Sequence, residues 1–385
     1  MTELQHKLQQ LKAQKLFRQR RLLQSPQGVE IDVDGQRLIS FCSNDYLGLA
    51  ADPRVIEALQ WGAKQYGVGA GASHLVTGHA TPHHNLEQEL AEFVGSERAL
   101  VFSTGYMANL GIITALMNRH DLIIEDKLNH ASLLDAARLA RAVVKRFAHA
   151  DTKKAKVLLT DDASNRLIAT DAVFSMDGDI APLSDLLMLA KTSKAWLLAD
   201  DAHGFGVLGE NGRGSFSAAG LELGDPVIYM GTLGKALGTF GAFVAGSDEL
   251  IETLIQRAHT YIYTTALPPA VAEATRASLR IVREEDWRRE RLQQLLARFQ
   301  RGITALGLSI LPSQTAIQPL VLGSEEAALK AAEALQAQGI LVPAIRPPTV
   351  PAGTARLRIT FSALHEPRHV DRLLETLAQI EINVA

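Results

Sequence analysis

Val227-Ile228-Tyr229-Met230-Gly231-Thr232-Leu233-Gly234-Lys235-Ala236-Leu237-Gly238 is the stretch that decides the fold. Its four leading apolar residues read as a buried strand, and the glycines around Lys235 read as a tight turn at that strand's carboxyl end. Trp196-Leu197-Leu198-Ala199 is a second such run, followed by Asp200-Asp201-Ala202-His203. Two strand ends thus present a lysine, a carboxylate and an imidazole. Outward from them, short apolar runs recur at Ala99 to Phe102, Leu122 to Ile124, Val143 to Phe147, Leu167 to Ala169 and Gly241 to Ala245. That rhythm predicts an α/β fold with a mostly parallel, seven-stranded sheet covered on both faces. The last two runs are too close together for a helical crossover, which predicts one antiparallel strand at a sheet edge. Ligands of such sheets gather outside the carboxyl ends of the strands. Ser103-Thr104-Gly105, Asp126 to His130, Asp171 to Asp177, Asp200 to His203 and Thr232 to Lys235 all fall there.

Two glycine-rich stretches invite nucleotide readings, and both fail. A phosphate-binding P-loop needs Ser or Thr directly after its Gly-Lys pair to hold magnesium, whereas Ala236 follows Lys235. Gly204-Phe205-Gly206-Val207-Leu208-Gly209 matches a dinucleotide fingerprint, but Glu210-Asn211-Gly212-Arg213-Gly214-Ser215 comes next and is too rich in glycine to open a helix. A lysine amine at a strand end forms Schiff bases with aldehydes, and a carboxylate opposite it holds a pyridinium nitrogen. Lys235 and Asp200 therefore suit pyridoxal 5′-phosphate (PLP).

Composition bounds the alternatives. A chain of 385 residues with 47% hydrophobic and 21% charged residues is an ordinary folded protein larger than one typical domain. A formal net charge of −3 gives no electrostatic case for nucleic acid or membrane binding. Cys42 is the single cysteine, so neither an intrachain disulfide nor a cysteine-based zinc cluster is available, and no metal is expected. Leu4, Leu8 and Leu11 at helical spacing predict an amphipathic N-terminal helix, with no apolar run long enough for a signal core or membrane span. A cytoplasmic location is expected. The division expected is a helical segment over 1–44, a large cofactor-binding domain over 45–280 and a C-terminal α+β domain over 281–385. Within the last, Ile317 to Leu322, Leu341 to Ile345 and Leu357 to Thr360 read as strands and Glu325 to Gln338 as a helix.

The chain resembles the α-oxoamine synthases, a branch of the type I PLP-dependent enzymes. The motifs that carry the resemblance are Ser43-Asn44-Asp45-Tyr46-Leu47-Gly48, Ser103 to Asn109, Asn129-His130-Ala131-Ser132, Phe174-Ser175-Met176-Asp177-Gly178, Asp200 to His203, Lys235 and Arg356-Leu357-Arg358. They span nearly the whole chain. The stretch Ala344 to Thr354 is most similar to the branch that condenses L-alanine with a pimeloyl thioester, on coenzyme A or an acyl carrier protein, in biotin biosynthesis. Glycine with acetyl-CoA, glycine with succinyl-CoA, and a catalytically silent PLP-fold binding subunit are the alternatives. One departure is that Asp171-Ala172-Val173 precedes Phe174, where the family commonly has glycine after the acid.

The resemblance implies roles residue by residue. Lys235 holds PLP and acts as general base; Asp200 pairs with the ring nitrogen; His203 and Ser175 sit by the ring oxygen; His130 stacks on the ring. Gly105 and Tyr106, at a helix start whose N–H groups and dipole favour anions, hold the phosphate with Thr232. Thr264 reaches the phosphate of a neighbouring subunit, which implies a homodimer with shared sites. Arg358 takes the amino-acid carboxylate as a planar fork, assisted by Asn44. Arg356 alternates with Arg358 on one strand and faces the same side, so only geometry can choose which of the two binds the carboxylate. Arg18 and Thr349 align with positions near the acyl substrate, although Arg18, with Arg20 and Arg21, equally reads as a solvated helix face.

Overall fold

Seven apolar runs become seven strands: β1 (Arg98–Phe102), β2 (Leu122–Asp126), β3 (Val143–Phe147), β4 (Arg166–Asp171), β5 (Trp196–Asp200), β6 (Val227–Thr232) and β7 (Ala242–Gly246). The computed structural model describes residues 2–13, 16–159 and 163–380. The strands form one sheet in the order β1-β7-β6-β5-β4-β2-β3. All neighbours are parallel except β7, which runs antiparallel to both β1 and β6. The antiparallel strand is therefore not at the edge as expected. It lies inside the sheet, because β1 pairs with its outer side and carries the true edge.

Neighbouring residues of each strand point to opposite faces, and both faces are apolar and largely buried except at the edge strand β3, where only Phe147 is buried. Val101, Ile124, Ile168, Leu197 and Tyr229 enter one core, while Leu100, Ile123, Leu167, Leu198 and Ile228 enter the other. Burying each such aliphatic side chain contributes roughly 1.5–3 kcal/mol. That is why these runs read as unbroken apolar stretches.

The segment 1–44 departs from expectation. Its helix covers only Glu3–Ala13 and buries none of its residues. Glu30–Val33 and Gln36–Ser40 instead form an antiparallel hairpin, turned by Asp34 and Gly35 at φ of 50° and 77°. Two consecutive left-handed residues are the conformation an Asp-Gly hairpin turn requires. Ile340–Leu341 adds a parallel third strand, so the N-terminal hairpin and the C-terminal region share one sheet. The expected strand Leu341 to Ile345 is thereby split. Pro343 interrupts it, and Ala344–Ile345 joins Ala355–Thr360 and Ile317–Gly323 in a separate sheet. The helical stretch after Pro268 is likewise two helices, Pro269–Glu284 and Trp287–Ala305.

These junctions fix the segment after the hairpin. The Ser362 hydroxyl donates to the Asp45 carbonyl at 2.8 Å, and the Ala363 N–H donates to the Tyr46 carbonyl at 2.8 Å. Asn44 and Tyr46 are thus held beside the carboxyl ends of the large sheet by the hairpin before them and by Ser362 and Ala363 of the C-terminal region.

Candidate active site

Lys235 follows β6 in a turn closed by the Gly238 N–H donating to the Lys235 carbonyl at 2.9 Å. Its side chain shares one cavity of about 190 Å³ with Gly105, Tyr106, His130, Ser175, Asp200, His203 and Thr232. Eight of the residues named from sequence are thus brought together at the carboxyl ends of the strands. Asp171, Ser132, Val173, Ala202 and Met230 complete the wall.

Asp200 ends β5 and is buried. Asn109 donates to its Oδ2 at 2.7 Å, and the Ala202 N–H donates to its Oδ1 at 3.1 Å. Asn109 also donates to the Ser132 hydroxyl at 2.8 Å. Asn109 was not singled out by sequence reasoning; a buried polar residue inside the apolar helix Gly105–Leu116 was the available signal. Asp171 is the register partner of Asp200 on the adjacent strand. Burial, reinforced by the Asp200 charge, raises the Asp171 pKa well above its ordinary value.

The next residue, Asp201, points the other way into the core and organises the glycine-rich loop. Its carboxylate accepts from the Ser215 N–H at 2.7 Å, the Ser215 hydroxyl at 2.5 Å and the Tyr229 hydroxyl at 2.8 Å. A Cβ on Gly204 would meet Asp201 Oδ1 at 2.2 Å, and one on Gly214, at φ +100°, would meet Oδ2 at 2.3 Å. The glycines therefore let the chain wrap a buried acid, and the helix a dinucleotide site needs is replaced by a single turn, Ser215–Ala218.

Burial lowers the Lys235 pKa to about 8; Asp200 and Asp171 oppose that fall and Arg358 adds to it. Its Nζ lies 2.9 Å from His203 Nε2. Burial, then the charge of Lys235, holds the His203 pKa well below the imidazole range, so that ring is neutral. His130 caps the helix Ala131–Ala140, its Nδ1 accepting from the Ser132 N–H at 3.2 Å, while its ring also lines the cavity. Capping and cofactor contact are compatible uses of one imidazole. Burial lowers the His130 pKa; Asp200 opposes this and Lys235 adds to it.

The helix Gly105–Leu116 starts at the cavity wall. Thr104 takes the Met107 N–H on its hydroxyl and the Ala108 N–H on its carbonyl. The Gly105 and Tyr106 N–H groups have no such partner among the described residues and suit an anion. Thr232 lines the cavity; its hydroxyl donates to the Gly241 carbonyl at 3.0 Å and accepts from the Gly234 N–H at 3.4 Å, so it serves a phosphate oxygen only by turning its proton into the cavity.

Arg356 and Arg358 part company. Arg356 is ion-paired with Asp177 at 2.7 Å. Arg358 donates through Nε to the Ser175 carbonyl at 2.5 Å and through both terminal nitrogens to Asn44 Oδ1 at 3.3 Å. Neither Arg358 nor Asn44 lines this cavity, although Arg358 is bonded to the carbonyl of Ser175, which does. Arg18 and Thr349 are exposed, and neither they nor Thr264 line this cavity.

His74, His79 and His83 also cluster, with ring nitrogens within 4.8 Å of one another. His83 takes the Ala80 N–H on Nδ1 and meets the Leu267 carbonyl with Nε2, so both its nitrogens are committed to backbone and none faces a metal.

PLP fits the donor set of the cavity: an amine of depressed pKa for its aldehyde, an acid for its ring nitrogen, a helix start for its phosphate and an imidazole face for its ring. The family described as Aminotransferase class I and II matches residues 36–377. Fold and pocket thus define a type I PLP-dependent transferase. A solved SPT with PLP internal aldimine superposes with a TM-score of 0.92 at 32% identity, covering 98% of this chain and 96% of its own. The 8-amino-7-oxononanoate synthase of Francisella tularensis superposes with a TM-score of 0.78 at 32% identity, covering 89% of this chain and 97% of its own. Among curated proteins, the 8-amino-7-oxononanoate synthase of Nitrosococcus oceani is 58% identical over 374 residues, 97% of this chain and 99% of its own. The chain belongs to the class I and II aminotransferases and, within them, to the 8-amino-7-oxononanoate synthase family.

Proposed function

We propose that the Lys235 cavity condenses L-alanine with a pimeloyl thioester, releasing 8-amino-7-oxononanoate, carbon dioxide and the free thiol carrier. The observation that carries this reading is the convergence of Lys235, Asp200, His203 and His130 on one cavity, in a chain 58% identical to a synthase of that name. PLP, when bound, supplies an aldehyde for the amino group and a ring that takes up the electron pair released at Cα.

Everything else falls to the protein. Lys235 Nζ, with its pKa near 8, holds the cofactor and then takes the Cα proton of alanine as general base. Asp200, fixed by Asn109 and the Ala202 N–H, would keep the ring nitrogen of bound PLP protonated. His203, Ser175 and His130, which line the cavity, would hold the ring, the first two through its oxygen and His130 through its face. Gly105, Tyr106 and Thr232 hold the phosphate. Arg358 and Asn44 orient the alanine carboxylate, a group that a guanidinium fork binds through two parallel bonds. Arg18 and Thr349, which lie outside this cavity, are assigned to the acyl substrate on the family resemblance alone.

The active unit is a homodimer in which Thr264 serves the partner's phosphate site. Support comes from an exposed apolar surface around that residue. Val68, Val76 and Tyr263 are 83%, 73% and 77% exposed, and the Ala266 N–H donates to the Ala72 carbonyl, which ties the two segments together. Among the described residues no helix is long and apolar enough to cross a membrane.

The test is to incubate the purified protein with alanine or glycine and with pimeloyl-, succinyl- or acetyl-CoA, and to weigh the products. Alanine with pimeloyl-CoA is expected to give 8-amino-7-oxononanoate. A product from glycine with acetyl- or succinyl-CoA, and none from alanine, would overturn the assignment.

A further inference from the structure

A line of hydrogen bonds joins the lysine to the arginine. Lys235 Nζ lies 2.9 Å from His203 Nε2, and His203 Nδ1 lies 2.7 Å from the Tyr46 hydroxyl. That hydroxyl lies 3.2 Å from Asn44 Oδ1, which also receives both terminal nitrogens of Arg358 at 3.3 Å. The proton positions along this line follow from what each group can do. A guanidinium only donates and an amide oxygen only accepts, so Arg358 and Tyr46 both donate to Asn44 Oδ1. The Tyr46 hydroxyl has one proton. With that proton on Asn44, its oxygen accepts from His203, so the His203 proton sits on Nδ1 and Nε2 is left bare. A bare Nε2 accepts from Lys235. The ring is neutral and Tyr46 is fully buried; His203 is 8% exposed where it lines the cavity, while its Nδ1 contact with Tyr46 is buried.

We propose that Tyr46 is a positioning residue that sets the tautomer of His203, and that Asn44, through the single Tyr46 proton, couples this choice to the state of Arg358. In this arrangement His203 offers Lys235 a lone pair. When a substrate carboxylate draws Arg358 and Asn44 to itself, the Tyr46 hydroxyl is released to donate to Nδ1, and the His203 proton moves to Nε2. His203 then presents a donor to the cavity. This inference rests on the reading of Arg358 and Asn44 as the carboxylate site. Its test does not depend on which product is made.

The experiment is nitrogen NMR of histidine in the full-length protein, freed of cofactor, for the wild type and for Tyr46→Phe and Asn44→Ala. Proton-decoupled two-bond correlations distinguish the Nδ1–H from the Nε2–H ring, and His203→Gln identifies the signal. The wild type is expected to show Nδ1–H. Both variants are expected to move the tautomer ratio toward Nε2–H by about tenfold, equivalent to about 1.4 kcal/mol and within the reach of one buried hydrogen bond. Tyr46→Phe keeps the ring that fills the core, and circular dichroism checks that it folds; Asn44→Ala removes the acceptor without touching Tyr46. Wild-type Nε2–H, or an unchanged ratio in two folded variants, would overturn the proposal. A failure of the alanine–pimeloyl reaction with these NMR results intact would instead count against the substrate assignment alone.

Discussion

Lys235 is the residue whose chemistry can be measured before any product is known. With its pKa lowered to about 8 from an ordinary 10.5, about a quarter of the amine is neutral at pH 7.5, against about one part in a thousand for a solvated lysine. The neutral fraction sets the rate at which it attacks an aldehyde, so the depression is equivalent to a gain of about two orders of magnitude. The assay is the rate of PLP incorporation into cofactor-free protein, followed by absorbance from pH 6 to pH 11, with Lys235→Ala as the blank. A midpoint near 8 is expected. Two substitutions should move it in opposite directions. Asp200 raises the Lys235 pKa and Arg358 lowers it, so Asp200→Asn should bring the midpoint below that of the wild type and Arg358→Gln should lift it. A wild-type midpoint at 10 or above, or shifts of the same sign in both variants, would refute the reasoning.

Four other outcomes follow from the same geometry. Asp200→Asn should lower kcat by about a hundredfold or more, the scale of losing one preorganised electrostatic partner, with protein stability by urea denaturation little changed. Arg358→Lys keeps the charge but loses the fork, and should lower kcat/KM for alanine about 10- to 100-fold, mainly through KM. His149 is pulled down by burial, but its hydrogen-bonded pairs with Asp126 and Asp179 outweigh that and push its pKa up to about 10. Because the folded value lies above the unfolded one, near 6.5, its stabilisation is full below pH 6.5 and fades as pH rises through 10. His149→Gln should therefore cost about 2 kcal/mol at pH 6 and much less at pH 10.5, by urea denaturation. Gly204→Ala would place a methyl 2.2 Å from Asp201 Oδ1, and should destabilise the fold by roughly 1–3 kcal/mol in the same assay.

The inner strands were legible because a sheet buried on both faces needs apolar residues at nearly every position, which leaves an almost unbroken signal; the edge strand β3, with Lys145 and Arg146 inside it, carries a weaker one. The place of β7 was not legible. A short connection fixes that it runs back along β6, but whether β1 then closes on its other side is settled by contacts between residues about 140 positions apart in sequence. The hairpin over Glu30–Ser40 carried a readable mark, Asp34-Gly35 between alternating residues, which the helical reading of 1–44 overrode. In the site, residues at strand ends were readable because their backbone position alone delivers them to the cavity. Tyr46 and Asn109 lie within the quoted motifs but act through neighbours distant in sequence, His203 and Asp200. Only the assembled fold assigns them partners. The choice between Arg356 and Arg358 was likewise closed to sequence, since both face one way and only the ion pair to Asp177 separates them.

The central claim is that Lys235 carries the cofactor. Borohydride reduction of the holoenzyme, followed by proteolysis and peptide mass analysis, locates the lysine that keeps a pyridoxyl group. A single adduct on the peptide containing Lys235 is the expected result; an adduct on any other lysine, with Lys235 unmodified, would contradict it.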